Sequence, residues 1–122
     1  MTEHQKFYRC RHCGNLVGLI ENAGVPLVCC GEPMEELEAN TADAAQEKHV
    51  PVVTQKDHQV KVSVGDVQHP MEEKHLIQWV YLQTKWGGQR KGFVPGKKPE
   101  AVFHLVDDEP IAVFAYCNQH GL

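Results

Sequence analysis

The sequence predicts an all-β protein in two parts, a small metal-stapled domain followed by a sandwich of antiparallel sheets. Three observations carry that prediction. Four of the five cysteines fall between Cys10 and Cys30, too early and too close together to be a framework for the whole chain. From His49 onward, apolar residues alternate or run in short β-branched and aromatic stretches bounded by Gly, Pro and Asp, as strands do. A length of 122 residues leaves room for one ordinary domain or two very small ones.

Residues 1–36 read as short extended pieces joined by glycine turns. Phe7-Tyr8-Arg9-Cys10 enters a knuckle, Leu16-Val17-Gly18-Leu19-Ile20 leaves it, and Asn22-Ala23-Gly24 makes a turn. Val25-Pro26-Leu27-Val28 then returns the chain to Cys29-Cys30-Gly31. So short a piece cannot bury enough surface to offset its chain entropy, and it needs a covalent or metal staple. An acidic stretch runs from Glu32 to Glu38, and residues 37–46 read as a linker in which Thr41 can cap one or two helical turns.

The second domain spans 47–122. Val60-Lys61-Val62-Ser63-Val64 alternates with period two before a Gly65-Asp66 turn, and His75 to Leu82 reads as a long strand. Ala101–Val106 and Ile111–Tyr116 flank Asp107-Asp108-Glu109-Pro110 and are expected to pair as a hairpin. Several short strands at this spacing favour a sandwich.

Composition narrows the function. Twelve Lys+Arg against sixteen Asp+Glu give a net charge of −4, which argues against nucleic acid or an anionic membrane as partner. No apolar run approaches the ~20 residues of a membrane span, and the N-terminus lacks the apolar core of a secretory signal. The chain is therefore expected to be cytoplasmic, where clustered thiols bind metal rather than pair.

Cys10 and Cys13 form a Cys-x2-Cys knuckle, and the vicinal pair Cys29-Cys30 can close a tetrahedron around the same ion. Neighbouring side chains in extended backbone point opposite ways, so the chain must bend there, and Gly31 supports the bend. Four thiolates suit either zinc or iron. His12, inside the knuckle, reads as a solvent-facing residue.

A second constellation lies in the sandwich domain. His49, His69, His75 and His120 all fall at strand ends or loops, where ligands are mounted on a rigid scaffold, and Cys117 stands three residues before His120. His4, His58 and His104 lack such company. Zinc seldom takes five protein ligands, and a copper electron-transfer site wants two His, one Cys and a weak axial group. Iron accepts the set, with a thiolate pushing electron density through the metal. Four imidazoles in a plane with Cys117 axial would leave one position open to a small oxidant.

The order Cys-x2-Cys, Cys-Cys, Glu-Lys-His-Val-Pro-Val, His-Pro-Met-Glu-Glu-Lys-His and Tyr-Cys-Asn-x-His-Gly resembles the desulfoferrodoxins, the two-iron superoxide reductases, over essentially the whole chain. The resemblance implies a desulforedoxin-like domain with iron on Cys10, Cys13, Cys29 and Cys30, zinc being the alternative there. It implies an immunoglobulin-like sandwich with iron on His49, His69, His75 and His120, with Cys117 axial. It further implies one-electron reduction of superoxide to hydrogen peroxide, re-reduction by an external donor such as rubredoxin, a homodimer, and Glu47 as the cap of the oxidised ion. Three departures stand out: Leu76 where relatives carry an aromatic, Phe114-Ala115-Tyr116 where they carry Arg-Glu-Tyr, and an end at Leu122 where they continue.

Lys48 adjoins His49, and at ~6 Å and an effective dielectric near 20 its charge is worth roughly 2–3 kcal/mol to an anion. Lys85, Arg90, Lys91, Lys97 and Lys98 share a stretch without an acidic residue, which reads either as a solvated loop or as a steering surface. Two other functions remain open on the residues alone. One is a zinc-ribbon-like interaction module on a sandwich; the other is a pure electron carrier, which would need a closed second site.

Overall fold

Alternation in Gln59–Val64 decides which face that stretch buries: Val60, Val62 and Val64 are sealed from solvent while Gln59 and Lys61 point out. A computed structural model describes residues 4–38, 51–64, 71, 75–118 and 122. Eleven strands and no helix occur among the described residues, so none of these residues forms a helix able to cross a membrane. The chain divides into two compact units, Met1–Glu38 and Ala39–Leu122.

The first unit is built from β1 (Lys6–Arg9), β2 (Leu16–Leu19), β3 (Val28–Cys29), β4 (Glu32–Pro33) and β5 (Glu35–Leu37). β1 lies between β2 and β5, antiparallel to both, and β3 and β4 form a separate hairpin. The acidic stretch is thus partly strand: Leu37 pairs with Phe7, one residue past the expected boundary at 36. Among the described residues of this unit only Phe7 and Cys10 are buried. One phenyl ring and one thiol are not a core, and the unit depends on its staple.

The second unit comprises β6 (Pro51–Lys56), β7 (Gln59–Val64), β8 (Ile77–Thr84), β9 (Gly88–Gly92), β10 (Glu100–His104) and β11 (Pro110–Cys117). Two three-stranded antiparallel sheets, ordered β10-β7-β6 and β11-β8-β9, form the sandwich. Its core is one cluster drawn from both sheets: Val60, Val62, Val64, Ala101 and Phe103 from one, Ile77, Val80, Leu82, Ala115 and Cys117 from the other. Trp79 stacks on Tyr116 with centroids 5.5 Å apart, and Tyr81 meets Phe114 at 6.4 Å. These cross-strand aromatic pairs lock the β8–β11 register.

Two expectations are corrected here. β10 and β11 do not form a hairpin: β10 pairs with β7 and β11 with β8. Both strands carry apolar residues that must reach one core from opposite layers, so the intervening turn crosses between sheets instead of reversing within one. Asp108 fixes that crossing, its Oδ1 accepting the amides of Glu109 at 2.9 Å and Trp86 at 3.1 Å. The cationic stretch is also not wholly loop, because Gly88–Gly92 is β9, paired to β8 from Gln83↔Gly88 to Trp79↔Gly92. A polar edge strand with a glycine at each end carries no period-two apolar signal. The side of the sandwich between β9 and β10 is closed by side chains. Gln89 Nε2 donates to the His104 carbonyl at 3.1 Å, and Lys91 Nζ donates to the Val102 carbonyl while lying 5.3 Å from the Phe103 ring centroid. The turn expected at Gly65-Asp66 and the helical turns near Thr41 lie outside the described residues.

The Asp108 carboxyl is held below its ordinary value by the neighbouring Thr84 hydroxyl and then by the backbone amides of Glu109, Trp86 and Lys85, with desolvation opposing them. A depressed carboxyl stabilises the fold above its unfolded pKa, and that contribution is lost as pH falls through the folded value. Asp108→Asn is therefore expected to lower the urea midpoint at neutral pH. The gap to the parent protein should narrow as pH drops below about 4. A pH-independent difference between the two midpoints would contradict this.

Candidate metal centres

The first centre begins with the knuckle. Gly14 lies at φ 82°, which lets the chain turn back so that the Gly14 amide reaches the Cys10 carbonyl at 3.0 Å and the Cys10 amide the Asn15 carbonyl at 2.8 Å. Backbone amides thereby point at sulfur: His12 N and Cys13 N lie 3.4 and 3.5 Å from Cys10 Sγ, and Asn15 N lies 3.4 Å from Cys13 Sγ. The Asn15 side-chain amide reaches Cys29 Sγ at 3.7 Å. Sequence reasoning gave Asn15 no role, although it stands two residues past the knuckle.

The vicinal pair solves its geometric problem with a two-residue hairpin. Cys30 and Gly31 link β3 to β4, and both have positive φ, 52° and 76°, the signature of a primed hairpin turn. A non-glycine residue held there costs on the order of 1 kcal/mol, and the return is that both thiols face the same point. All four sulfurs lie within 4.8 Å of one another, and Cys13 Sγ is 3.6 Å from Cys29 Sγ. A tetrahedron with metal–sulfur bonds of about 2.3 Å has edges of about 3.8 Å. The cage therefore has the size of a zinc or ferric tetrathiolate.

Its electrostatics call for a cation. The Cys13 and His12 amides pull the Cys10 thiol down to about 6, whereas the Cys10, Cys13 and Cys29 sulfurs push Cys30 up to about 12. Cys29 is raised for the same reason, first by Cys13 and then by Cys10. One thiolate forms readily, and its charge opposes the next. A bound metal ion removes that opposition and displaces the remaining protons. His12 is exposed as expected, with Nε2 2.9 Å from Glu32 Oε2.

Of the second constellation, His75 and Cys117 are described. His49, His69, His120, Glu47 and Lys48 lie outside the described residues. Cys117 ends β11, is buried, and belongs to the sandwich core. Tyr116 pairs with Trp79 but Cys117 with Ile77, so Gln78 is an extra residue on β8. Such a bulge bends the strand and re-aims the side chains beyond it. Asn118 then grips Leu76 twice: its amide donates to the Leu76 carbonyl at 3.2 Å, and its Oδ1 accepts the Leu76 amide at 3.0 Å. The residue after the thiol is thus bound to the residue after the imidazole, and Nε2 of His75 is sealed from solvent. Leu76 itself is buried beside this clamp, so an aliphatic side chain fills the place. Sequence reasoning quoted Asn118 inside a motif without assigning it this work.

Strand direction adds a wider constraint. Gln55, Asp57, His58, Lys85, Trp86 and Asp107 line one cavity, so the β6–β7, β8–β9 and β10–β11 turns share one end of the sandwich. The start of β6, the end of β7, the start of β8 and the end of β11 consequently share the other. His75 and Cys117 stand at that end. His58 and His104 belong to the opposite one, where Gln59 Nε2 lies 3.3 Å from His104 Nε2.

Asn118→Ala removes one of the two bonds to Leu76, and loss of such a bond costs about 1–2 kcal/mol. The expected result is a lower denaturation midpoint and faster loss of metal from the sandwich unit to a chelator, with the tetrathiolate absorption unchanged. Equal chelator resistance in variant and parent would show that the clamp does not hold the site.

The comparisons with known proteins agree with this architecture. Residues 2–37 match the desulfoferrodoxin N-terminal domain family, and residues 41–122 match the desulfoferrodoxin family. The chain is 48% identical over 122 residues to a desulfoferrodoxin of Syntrophotalea carbinolica, covering 100% of this chain and 96% of that protein. It is 46% identical to a desulfoferrodoxin of Nitratidesulfovibrio vulgaris, with 99% and 95% covered. Among solved structures it resembles the superoxide reductase from Treponema pallidum with a TM-score of 0.80 and 38% identity, covering 98% of this chain and 96% of that one. The superoxide reductase (1Fe-SOR) from Giardia intestinalis aligns with a TM-score of 0.50 and 33% identity over 62% of this chain and 91% of that one. The chain belongs to the desulfoferrodoxin family.

Proposed function

We propose that this protein is a superoxide reductase, adding one electron and two protons to superoxide to give hydrogen peroxide at an iron site in its sandwich unit. Family membership implies iron. The residues that would hold it are His49, His69, His75, His120 and Cys117. The observation that carries the reading is topological. In the sequence His49 precedes β6, His69 and His75 lie between β7 and β8, and Cys117 and His120 end or follow β11; the strand ends concerned share one end of the sandwich, where Asn118 joins the Cys117 and His75 segments, and this supports the reading. A one-iron relative that aligns with only 62% of this chain bears the superoxide reductase name, which supports placing the activity in one unit rather than across both.

Iron, when bound, supplies the electron by cycling between its ferrous and ferric states. The chain's own residues do the rest. Burial of Cys117 keeps its sulfur away from solvent and from competing oxidants. Lys48, next to ligand His49 in sequence, presents a positive charge to an anionic substrate and can assist delivery of the protons that the product needs. Glu47, next to Lys48 in sequence, is the carboxylate that would supply an oxygen ligand to the oxidised iron. Because each turnover consumes an electron, the protein needs an external one-electron donor, of which rubredoxin is the proposed example.

The tetrathiolate centre takes iron in this reading, with zinc as the alternative its geometry also accepts. It stands in for a core in the first unit. Exposed Ile20, Val25 and Val28 on that unit support the proposed homodimer, and reduced thiols fit a cytoplasmic site.

Pulse radiolysis of the reduced protein tests the proposal. Superoxide should disappear in a second-order reaction that yields hydrogen peroxide and no dioxygen. Lys48→Ala should slow it about tenfold at low salt and flatten its ionic-strength dependence. Dioxygen formed in step with peroxide would mark a dismutase and contradict the proposal, and an unchanged rate in the variant would remove Lys48 from it.

A further inference from the structure

The cationic stretch that begins at Lys85 does not act as one surface, because the fold divides it. Lys85 follows β8 at the far end of the sandwich, where its ammonium lies 5.2 Å over the Trp86 ring, among Asp57, Asp107, Asp108 and Glu109. Lys91 is spent across the sheet edge on the Val102 carbonyl and the Phe103 ring. Lys97 and Lys98 have a different situation. They stand in the connection from β9 to β10, which begins after Gly92, opposite Trp79, and ends at Pro99, whose carbonyl accepts the Val64 amide at 3.1 Å. Both anchors belong to the end of the sandwich that carries His75 and Cys117.

This connection is held, not loose. Phe93 N donates to the Gln78 carbonyl at 2.8 Å, beside the β8 bulge, and Gly96 N donates to the Met71 carbonyl at 2.8 Å. Met71 and Phe93 pack against the core cluster, and Met71 falls between His69 and His75 in the chain. From this base Val94 stands 52% exposed, Pro95 to Lys98 are exposed, and Gly96 at φ 86° makes the reversal. Among the described residues no carboxylate lies within 4.0 Å of either lysine ammonium. The result is an apolar residue beside two exposed cations, fixed against the segment that precedes His75. The opposite end of the sandwich collects four carboxylates.

We propose that the Val94–Lys98 connection is the docking surface for an acidic one-electron carrier protein, which delivers the electron consumed in each turnover. The inference rests on the superoxide reductase reading but names a surface that the reading does not need. Charge complementarity selects the partner. An acidic protein is drawn to Lys97 and Lys98 and repelled by the four carboxylates at the opposite end, so it arrives with its redox group facing the proposed iron site. Val94 supplies the apolar contact that such transient complexes use at their centre.

The test uses the full-length, iron-loaded protein. Stopped-flow reduction of the oxidised sandwich site by a reduced acidic rubredoxin is measured against ionic strength, alongside the superoxide rate in pulse radiolysis. K97E/K98E should slow reduction by rubredoxin tenfold or more at low salt and flatten or invert its salt dependence, with the superoxide rate changed less than twofold. Lys56→Glu, at the opposite end of the sandwich, should leave the rubredoxin rate near that of the parent. An unaltered rubredoxin rate in K97E/K98E overturns the docking surface. So does a parallel fall in the superoxide rate, which would make the lysines a funnel for the small anion, or an equal loss in Lys56→Glu, which would make net charge the cause. A parent protein that fails to reduce superoxide at all would instead sink the activity on which the inference rests.

Discussion

The pairing of β8 with β11 is the constraint on which the sandwich unit depends. It brings together residues 26 to 40 positions apart in the chain, fixes their register with the Trp79–Tyr116 and Tyr81–Phe114 pairs, and then breaks that register at Gln78. The irregularity is productive. A regular ladder would turn Gln78 inward after Leu82 and Val80; the bulge instead brings Ile77 to the core opposite Cys117, and the double grip of Asn118 on Leu76 couples the thiol to the segment bearing His75. A metal ligand must be held to within a fraction of an ångström, and side chains supported by packing and secondary hydrogen bonds achieve that where a free loop does not.

The two units solve opposite problems. The sandwich has a cluster of buried aliphatic residues from both sheets and would be a folded domain whatever it bound. The first unit buries only Phe7 and Cys10 among its described residues; its stability would rest on the metal–sulfur bonds that its four-cysteine cluster can form. That difference explains why the first unit tolerates Cys30 at a positive φ. Strain of this kind persists where the surroundings over-determine it, and four thiolates on one ion do so.

Much of this was legible in the sequence, for identifiable reasons. Strong period-two alternation at Val60–Val64 and the tight cysteine spacing survive any context, because burial and metal geometry impose them directly. The bend at Cys29-Cys30 could be foreseen because two adjacent thiols cannot otherwise reach one ion. Polar β9 escaped notice because its place is fixed by pairing with β8 and not by apolar residues of its own. The false hairpin at Asp107–Pro110 arose because turn chemistry reports that a chain changes direction, not which layer it enters; the crossing depends on Asp108 meeting the Trp86 amide, a contact across 22 positions. Asn118 was invisible as a positioning residue for the same cause, since its partner Leu76 is distant in the chain. The spacing of His49, His69, His75, Cys117 and His120 suggested a set only because each adjoins a strand end, and strand direction then puts those ends together.

The superoxide reductase proposal requires Cys117 to be a ligand to a redox-active iron in the sandwich unit. The most direct measurement is metal content with the visible spectrum of the oxidised protein, for the parent and for Cys117→Ser. Two metal ions per chain with at least one iron are expected in the parent, with a sulfur-to-iron absorption band that Cys117→Ser abolishes while the tetrathiolate features persist. A colourless, zinc-only parent, or a band that survives the substitution intact, would contradict it.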